Sequence, residues 1–241
     1  ATPDSRVRID FKGQQTSVDT NTDGHWRVGI PTGEADGKGA TLTIQSGSQT
    51  VAIKDVMVGE VWLASGQSNM VFSMNRVPAY AEIIATSAHP GIRMFNAQGV
   101  TAVEPQNDIE GQWSICNPAS VPGYSAVAFF FARKLHEELG VPIGVIKSAW
   151  GGKPVETFTS REALLTLPET KALVEATLKA DAAYDEVAVQ AAYKNRLARW
   201  KTGVTERKTQ PTKQTRPPRR PAAPKRPLMT EGKPGVLFNS M

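Results

Sequence analysis

Polar and apolar residues alternate through the first part of the chain. Arg6-Val7-Arg8-Ile9-Asp10-Phe11 places an apolar side chain at every second position, as a strand with one buried face requires. The turn-rich stretch Asp19-Thr20-Asn21-Thr22-Asp23-Gly24 precedes a second short strand at His25-Trp26-Arg27-Val28-Gly29-Ile30. Another turn over 33–39 leads to strands at 40–45 and 50–53. Short strands at regular spacing predict a small β-sandwich-like module over residues 1–57.

Near residue 56 the pattern changes to strands alternating with helices. The apolar run 58–64 reads as a buried strand ended by Gly66. A helix is expected over 80–87, then a strand over 91–96 introduced by Pro90. Residues 126–139 form an apolar-faced helix, with Ser125 as N-cap and Gly140 as its stop. A core strand follows over 142–146. Strand, helix, strand in this order predicts a parallel sheet covered on both faces, the three-layer αβα architecture. Such sheets carry their sites at the C-terminal ends of strands, where Ser68 and the pair Gly151-Gly152 fall.

Residues 156–167 close the strand–helix unit. One long helix is expected over 170–200, since Leu173, Ala180, Tyr184, Val187, Ala191 and Ala198 recur at intervals of 7, 4, 3, 4 and 7. The domain 58–241 thus contains a helical insertion over about 160–201.

Charge then isolates one segment. The chain carries +5 overall, but residues 194–233 hold 13 Lys/Arg against 2 Asp/Glu, which leaves 15 basic and 21 acidic residues elsewhere. The basicity therefore belongs to a segment, and no nucleic-acid partner is expected. Within it, residues 202–233 carry six prolines. That composition predicts a basic, proline-rich linker that buries no core. No apolar run approaches the ~20 residues of a membrane span. The single Cys116 leaves no internal disulfide and no Cys-cluster metal site.

The candidate chemistry is a nucleophilic serine. Ser68 follows a strand and a glycine turn, which displays a hydroxyl at a sheet edge near backbone N–H groups. Gly-x-Ser alone reads as a helix cap rather than a nucleophile. The surrounding block decides between the two. Gly59-Glu60-Val61-Trp62-Leu63-Ala64-Ser65-Gly66-Gln67-Ser68-Asn69-Met70 resembles the nucleophile block of the sialate O-acetylesterase-like family, a branch of the SGNH hydrolases that cleave acetyl esters from sugars. The resemblance continues through Gly144-Val145-Ile146-Lys147-Ser148-Ala149-Trp150-Gly151-Gly152 and Gly235-Val236-Leu237-Phe238-Asn239-Ser240-Met241.

The resemblance implies a flavodoxin-like SGNH domain acting on acetylated carbohydrate through an acetyl-Ser68 intermediate, with no metal or other cofactor. It assigns the oxyanion donors to Ser68, Gly151 and Gly152, and favours a secreted or periplasmic setting. The family's further oxyanion block and its Asp-x-x-His-like block are absent from this sequence. The expectation is therefore a chain that ends inside the catalytic domain, inactive without its C-terminal portion.

His25, His89 and His136 are expected in a hairpin, a loop and a helix surface, and none fits the base position. Arg93, Trp150 and Glu156 flank the expected cleft as sugar contacts or structural residues. Two other readings stand beside the esterase. One is a carbohydrate-binding or interaction protein that keeps the fold without catalysis. The other is a polyanion-binding protein using the arginine–proline segment.

Overall fold

The computed structural model describes residues 1–209 and 219–241. It divides into two units, 1–98 with 110–151 and 99–109 with 152–241.

The first unit opens with a four-stranded antiparallel sheet, β1 (Arg6–Phe11), β2 (Gln14–Asp19), β3 (Asp36–Ser46) and β4 (Gln49–Val58), in the order β2-β1-β3-β4. The alternation in β1 buries Val7, Ile9 and Phe11 on one face. The tight turn at Lys12 and Gly13 (φ 51° and 76°) pairs β1 with β2. Residues 25–30 carry no strand, so the pairing partner expected there is supplied by β2 instead.

The same unit continues with β5 (Glu60–Gly66), α1 (Ser68–Val71), α2 (Ala81–Ala85), β6 (His89–Asn96), β7 (Trp113–Cys116), α3 (Ala126–Leu139) and β8 (Ile143–Ala149). The sheet order is β5-β8-β6-β7, with β5, β8 and β6 parallel and β7 an antiparallel edge. The α/β fold preceded by an antiparallel module is thus the one predicted.

Side-chain parity fixes what each face does. Ala64, Met94, Ile143 and Val145 pack with Ala128, Phe129 and Ala132 of α3, joined by Ile83 and Ile84 of α2. Trp62 stacks edge-on to Phe131 at 5.3 Å on that face. The alternate residues of β5 point the other way, and Val61 and Leu63 are 63% and 58% exposed. The continuous apolar run that read as a buried strand is therefore buried on one side only. Trp113 and Ile115 extend the open face onto β7.

The second unit holds α4 (Arg161–Leu165), α5 (Pro168–Ala182) and α6 (Glu186–Thr209). The expected single helix is two, because the chain breaks after Ala182. Asp185 restarts it, its carboxylate accepting the Ala188 N–H at 3.0 Å. Helix α6 then runs through Thr209, into the stretch expected to be linker.

Residues 210–218, which include much of the arginine–proline block, lie outside the described residues. Beyond them Leu228 is buried, and Arg226 clasps Asp181 of α5 through Nε (2.9 Å) and Nη2 (2.5 Å). The C-terminal segment is also anchored. Asn239 donates to the Val103 carbonyl at 2.7 Å and Ser240 to that of Val100 at 2.7 Å.

Candidate functional site

Strand β5 leaves the sheet at Gly66, whose φ of 148° suits a residue without a Cβ. Gln67 follows as the N-cap of α1. Its Oε1 accepts both the Ser68 hydroxyl at 2.9 Å and the Ser68 backbone N–H at 3.3 Å. Ser68 itself is exposed. Helix α1 is held from below, since Ser125 Oγ donates to Met70 Sδ at 3.5 Å and Ala126 N–H to the Phe72 carbonyl at 2.8 Å.

The neighbouring strand β8 ends level with β5, Ala149 being the register partner of Gly66. Trp150 N–H donates to the Gly66 carbonyl at 3.0 Å, which locks the two strand ends together. Gly151 comes next and lies against the serine. A Cβ built at 151 would stand 3.8 Å from Ser68 Oγ and 3.9 Å from its Cα. Glycine at this position keeps the space beside the hydroxyl clear. Gly152 has a left-handed φ of 72°, and nothing lies within 4 Å of where its Cβ would be. Gly151 is thus adjacent to Ser68, while Gly152 adopts a backbone conformation that favours glycine.

Of the other residues singled out from sequence, Trp150 lies at this strand end, whereas Arg93, His89 and His136 do not. Arg93 pairs in register with Gly144, far back along the strands, and its Nη2 lies 2.7 Å from Asp55. It does not flank the Ser68 cleft. Glu156 sits in a short 3₁₀ turn of the second unit, where its carbonyl accepts the Gly235 N–H at 2.9 Å.

His89 opens β6 at the N-terminal end of the sheet, its ring 6.3 Å from that of Phe129. Burial, then the nearby Arg133 charge, holds its pKa below the ordinary histidine value. His136 Nδ1 lies 2.7 Å from the Val141 carbonyl, at the same end. The level of Ile92 and Ile143 is separated from Gly66 and Ala149 by six residue steps, roughly 20 Å of strand. His25 is exposed in the antiparallel module.

Two features of this region were not visible in the sequence reading. One is Gln67, whose amide oxygen occupies the point where the Ser68 N–H and O–H converge. Its place inside Gly66-Gln67-Ser68 was the available signal. The other is Lys147, which lies beside Ala64 in register and is buried; desolvation pulls its pKa below the lysine range.

A serine and a glycine meeting at the ends of two adjacent parallel strands define a strand-end site of an open α/β sheet. No protein-family model matches the chain. It is 36% identical over 135 residues to a sialate O-acetylesterase of Rattus norvegicus, covering 52% of this chain and 25% of that protein. The human sialate O-acetylesterase is 34% identical over 134 residues, covering 26% of its length. The chain thus spans about a quarter of the curated relatives it matches. A crystal structure of a carbohydrate acetylesterase from Xanthomonas citri superposes with a TM-score of 0.66 at 31% identity, over 68% of this chain and 38% of that one. Over about half of its length the chain is thus similar to sialate O-acetylesterases, and over 68% of it to a carbohydrate acetylesterase of known structure.

Proposed function

We propose that the protein is a carbohydrate O-acetylesterase in which Ser68 is the nucleophile. The observation that carries this reading is the meeting of Ser68 Oγ with the open space at Gly151. In the reaction Ser68 Oγ attacks the acetyl carbonyl carbon and its proton passes to a general base. The bond to the sugar oxygen then breaks, that oxygen takes the proton, and water releases acetate from acetyl-Ser68.

The developing oxyanion needs donors already in place. The Ser68 N–H qualifies once an ester oxygen displaces Gln67 Oε1, and the Gly151 N–H is its partner across the strand ends. Gln67 therefore holds the position that the substrate oxygen takes. On this reading the base is a group other than His89 and His136, which lie at the opposite end of the sheet from Ser68. The homologues named as acetylesterases support the substrate class, an acetylated carbohydrate.

Ser68→Ala in the complete protein tests the assignment. Acetyl-ester hydrolysis should fall on the order of 10⁶-fold, as in serine hydrolases stripped of their nucleophile, with an unchanged melting transition. Activity retained within about tenfold in a folded variant would move the nucleophile elsewhere.

A further inference from the structure

Arg93 lines a cleft of its own, at the opposite end of the sheet from Ser68. Its position rests on an irregularity in β4. Ala40 pairs with Val56 and Leu42 with Ile53, so Lys54 and Asp55 together oppose a single residue of β3. Such a bulge re-aims side chains and recurs beside functional sites. Asp55 takes a left-handed φ of 58° there, a conformation rare without a special reason. Gly39 makes room for it, since a Cβ at 39 would fall 2.1 Å from Asp55 Oδ1.

The bulge turns the Asp55 carboxylate onto Arg93, whose side chain is 15% exposed. The guanidinium also donates to the Pro90 carbonyl. Beside this pair opens a cavity of about 380 Å³, lined by Trp113, Val61 and Gly144 among others. That volume lies in the range of small-ligand sites, and its make-up matches theirs: apolar walls with a few converging polar groups. Trp113 is half-exposed and lies over Gly144, where a Cβ would come within 3.3 Å of the indole. It is braced edge-on by Phe95 at 5.4 Å.

We propose that this cleft binds a neutral saccharide. A sugar ring offers an apolar C–H face that stacks on an exposed indole, and a rim of hydroxyls that need both donors and acceptors. Trp113 supplies the first. Arg93 and Asp55, with Lys54 and Glu60 on the rim, supply the second. Two cations and two anions cancel, so the cleft has no net charge with which to attract an anionic sugar. The register places the Val61–Gly144 level five residues from Gly66 and Ala149, about 17 Å along the strands. The saccharide site is thus separate from Ser68, and its failure would leave the nucleophile assignment untouched.

The test is calorimetric titration of residues 1–241 with xylohexaose, beside N-acetylneuraminic acid and the apolar dye ANS. Tryptophan fluorescence is followed in parallel. Saturable binding of xylohexaose is expected, weakened about tenfold or more in Trp113→Ala and measurably in Lys54→Ala. The rim variant decides the matter should Trp113→Ala fail to fold. Absence of xylohexaose binding overturns the proposal. So does unchanged affinity in both folded variants, or in Lys54→Ala alone where Trp113→Ala does not fold. Binding of ANS alone would mean bare apolar surface, and binding of the anionic sugar alone would refute the neutral class.

Discussion

Alanine at position 151 should separate the two glycines of the strand end by function. The added methyl carbon would sit 3.8 Å from Ser68 Oγ and 3.9 Å from Ser68 Cα, ordinary contact distances with no clash. The backbone at 151 is outside the left-handed region, so Gly→Ala carries no conformational penalty there and should stabilise slightly, by about 0.4–1 kcal/mol. In a domain of this size that is a rise of only a few degrees in Tm. The same methyl fills the space that an attacked ester must share with Oγ. Displacing the oxygen from its donors should cost kcat on the order of 10²–10³-fold, as loss of one oxyanion-hole donor does, or about 2.7–4 kcal/mol. Gly152→Ala should do the reverse. Nothing crowds its Cβ, but a φ of 72° costs an L-residue about 1–2 kcal/mol, so stability falls while hydrolysis is largely kept. Both variants are to be assayed in the complete protein by acetate release and by melting. Gly151→Ala active within about threefold of the parent, with a normal melt, would refute the placement of the oxyanion at this glycine.

Three further outcomes follow from other parts of the structure. Phe129→Ala removes a fully buried ring at the centre of the α3 packing and should cost about 3–5 kcal/mol, read as a lowered urea midpoint. Asp181→Asn should destabilise the second unit more at pH 7 than at pH 3. The Arg226 hydrogen bonds, then that of Leu228 N–H, hold the Asp181 pKa below its ordinary value, so its contribution is complete above the unfolded pKa and is lost as pH falls through the folded one. An equal deficit at both pH values would show that the pair contributes through packing alone. Residues 1–241 by themselves should give no Ser68-dependent hydrolysis of p-nitrophenyl acetate above a Ser68→Ala control. A signal above that control would point to a base within these residues, with Lys147 the first to substitute.

Local chemistry was the part of the fold legible beforehand. Helix α3 begins and ends where expected because its caps are short-range: Ser125 Oγ accepts the Ala128 N–H at 3.2 Å, and Gly140 adopts φ 67°. The strand expected over 25–30 failed because strand pairing is a long-range choice. The Lys12-Gly13 turn closes β1 onto β2, and β3 takes its other edge. The long helix over 170–200 was misread since its apolar spacing continues in phase across the break at 183–185, masking the cap at Asp185. The strand-end placement of Ser68 and Gly151 was legible because each lies two residues past the end of a strand. Arg93 was not, since sequence proximity to a strand end does not say which face or level a side chain occupies. Its register partner is Gly144.

Strand polarity then carries the esterase reading one step further. All three parallel strands run toward Ser68, so every residue that opens a strand is committed to the far edge. His89 opens β6, and His136 sits where a Cβ at Gly91 would strike its ring at 2.5 Å. A general base works within about 2.6–3.2 Å of the proton it takes, or through one water. Roughly 20 Å of strand intervenes, and side-chain rotation cannot close it. Sliding a strand would not help either, because a one-residue slip would turn Ala64 and Trp62 off α3 onto the open face. The core that positions Ser68 is therefore the same structure that excludes these histidines. On the esterase reading, the proton acceptor is therefore a group other than these two histidines that can reach the exposed Ser68 hydroxyl.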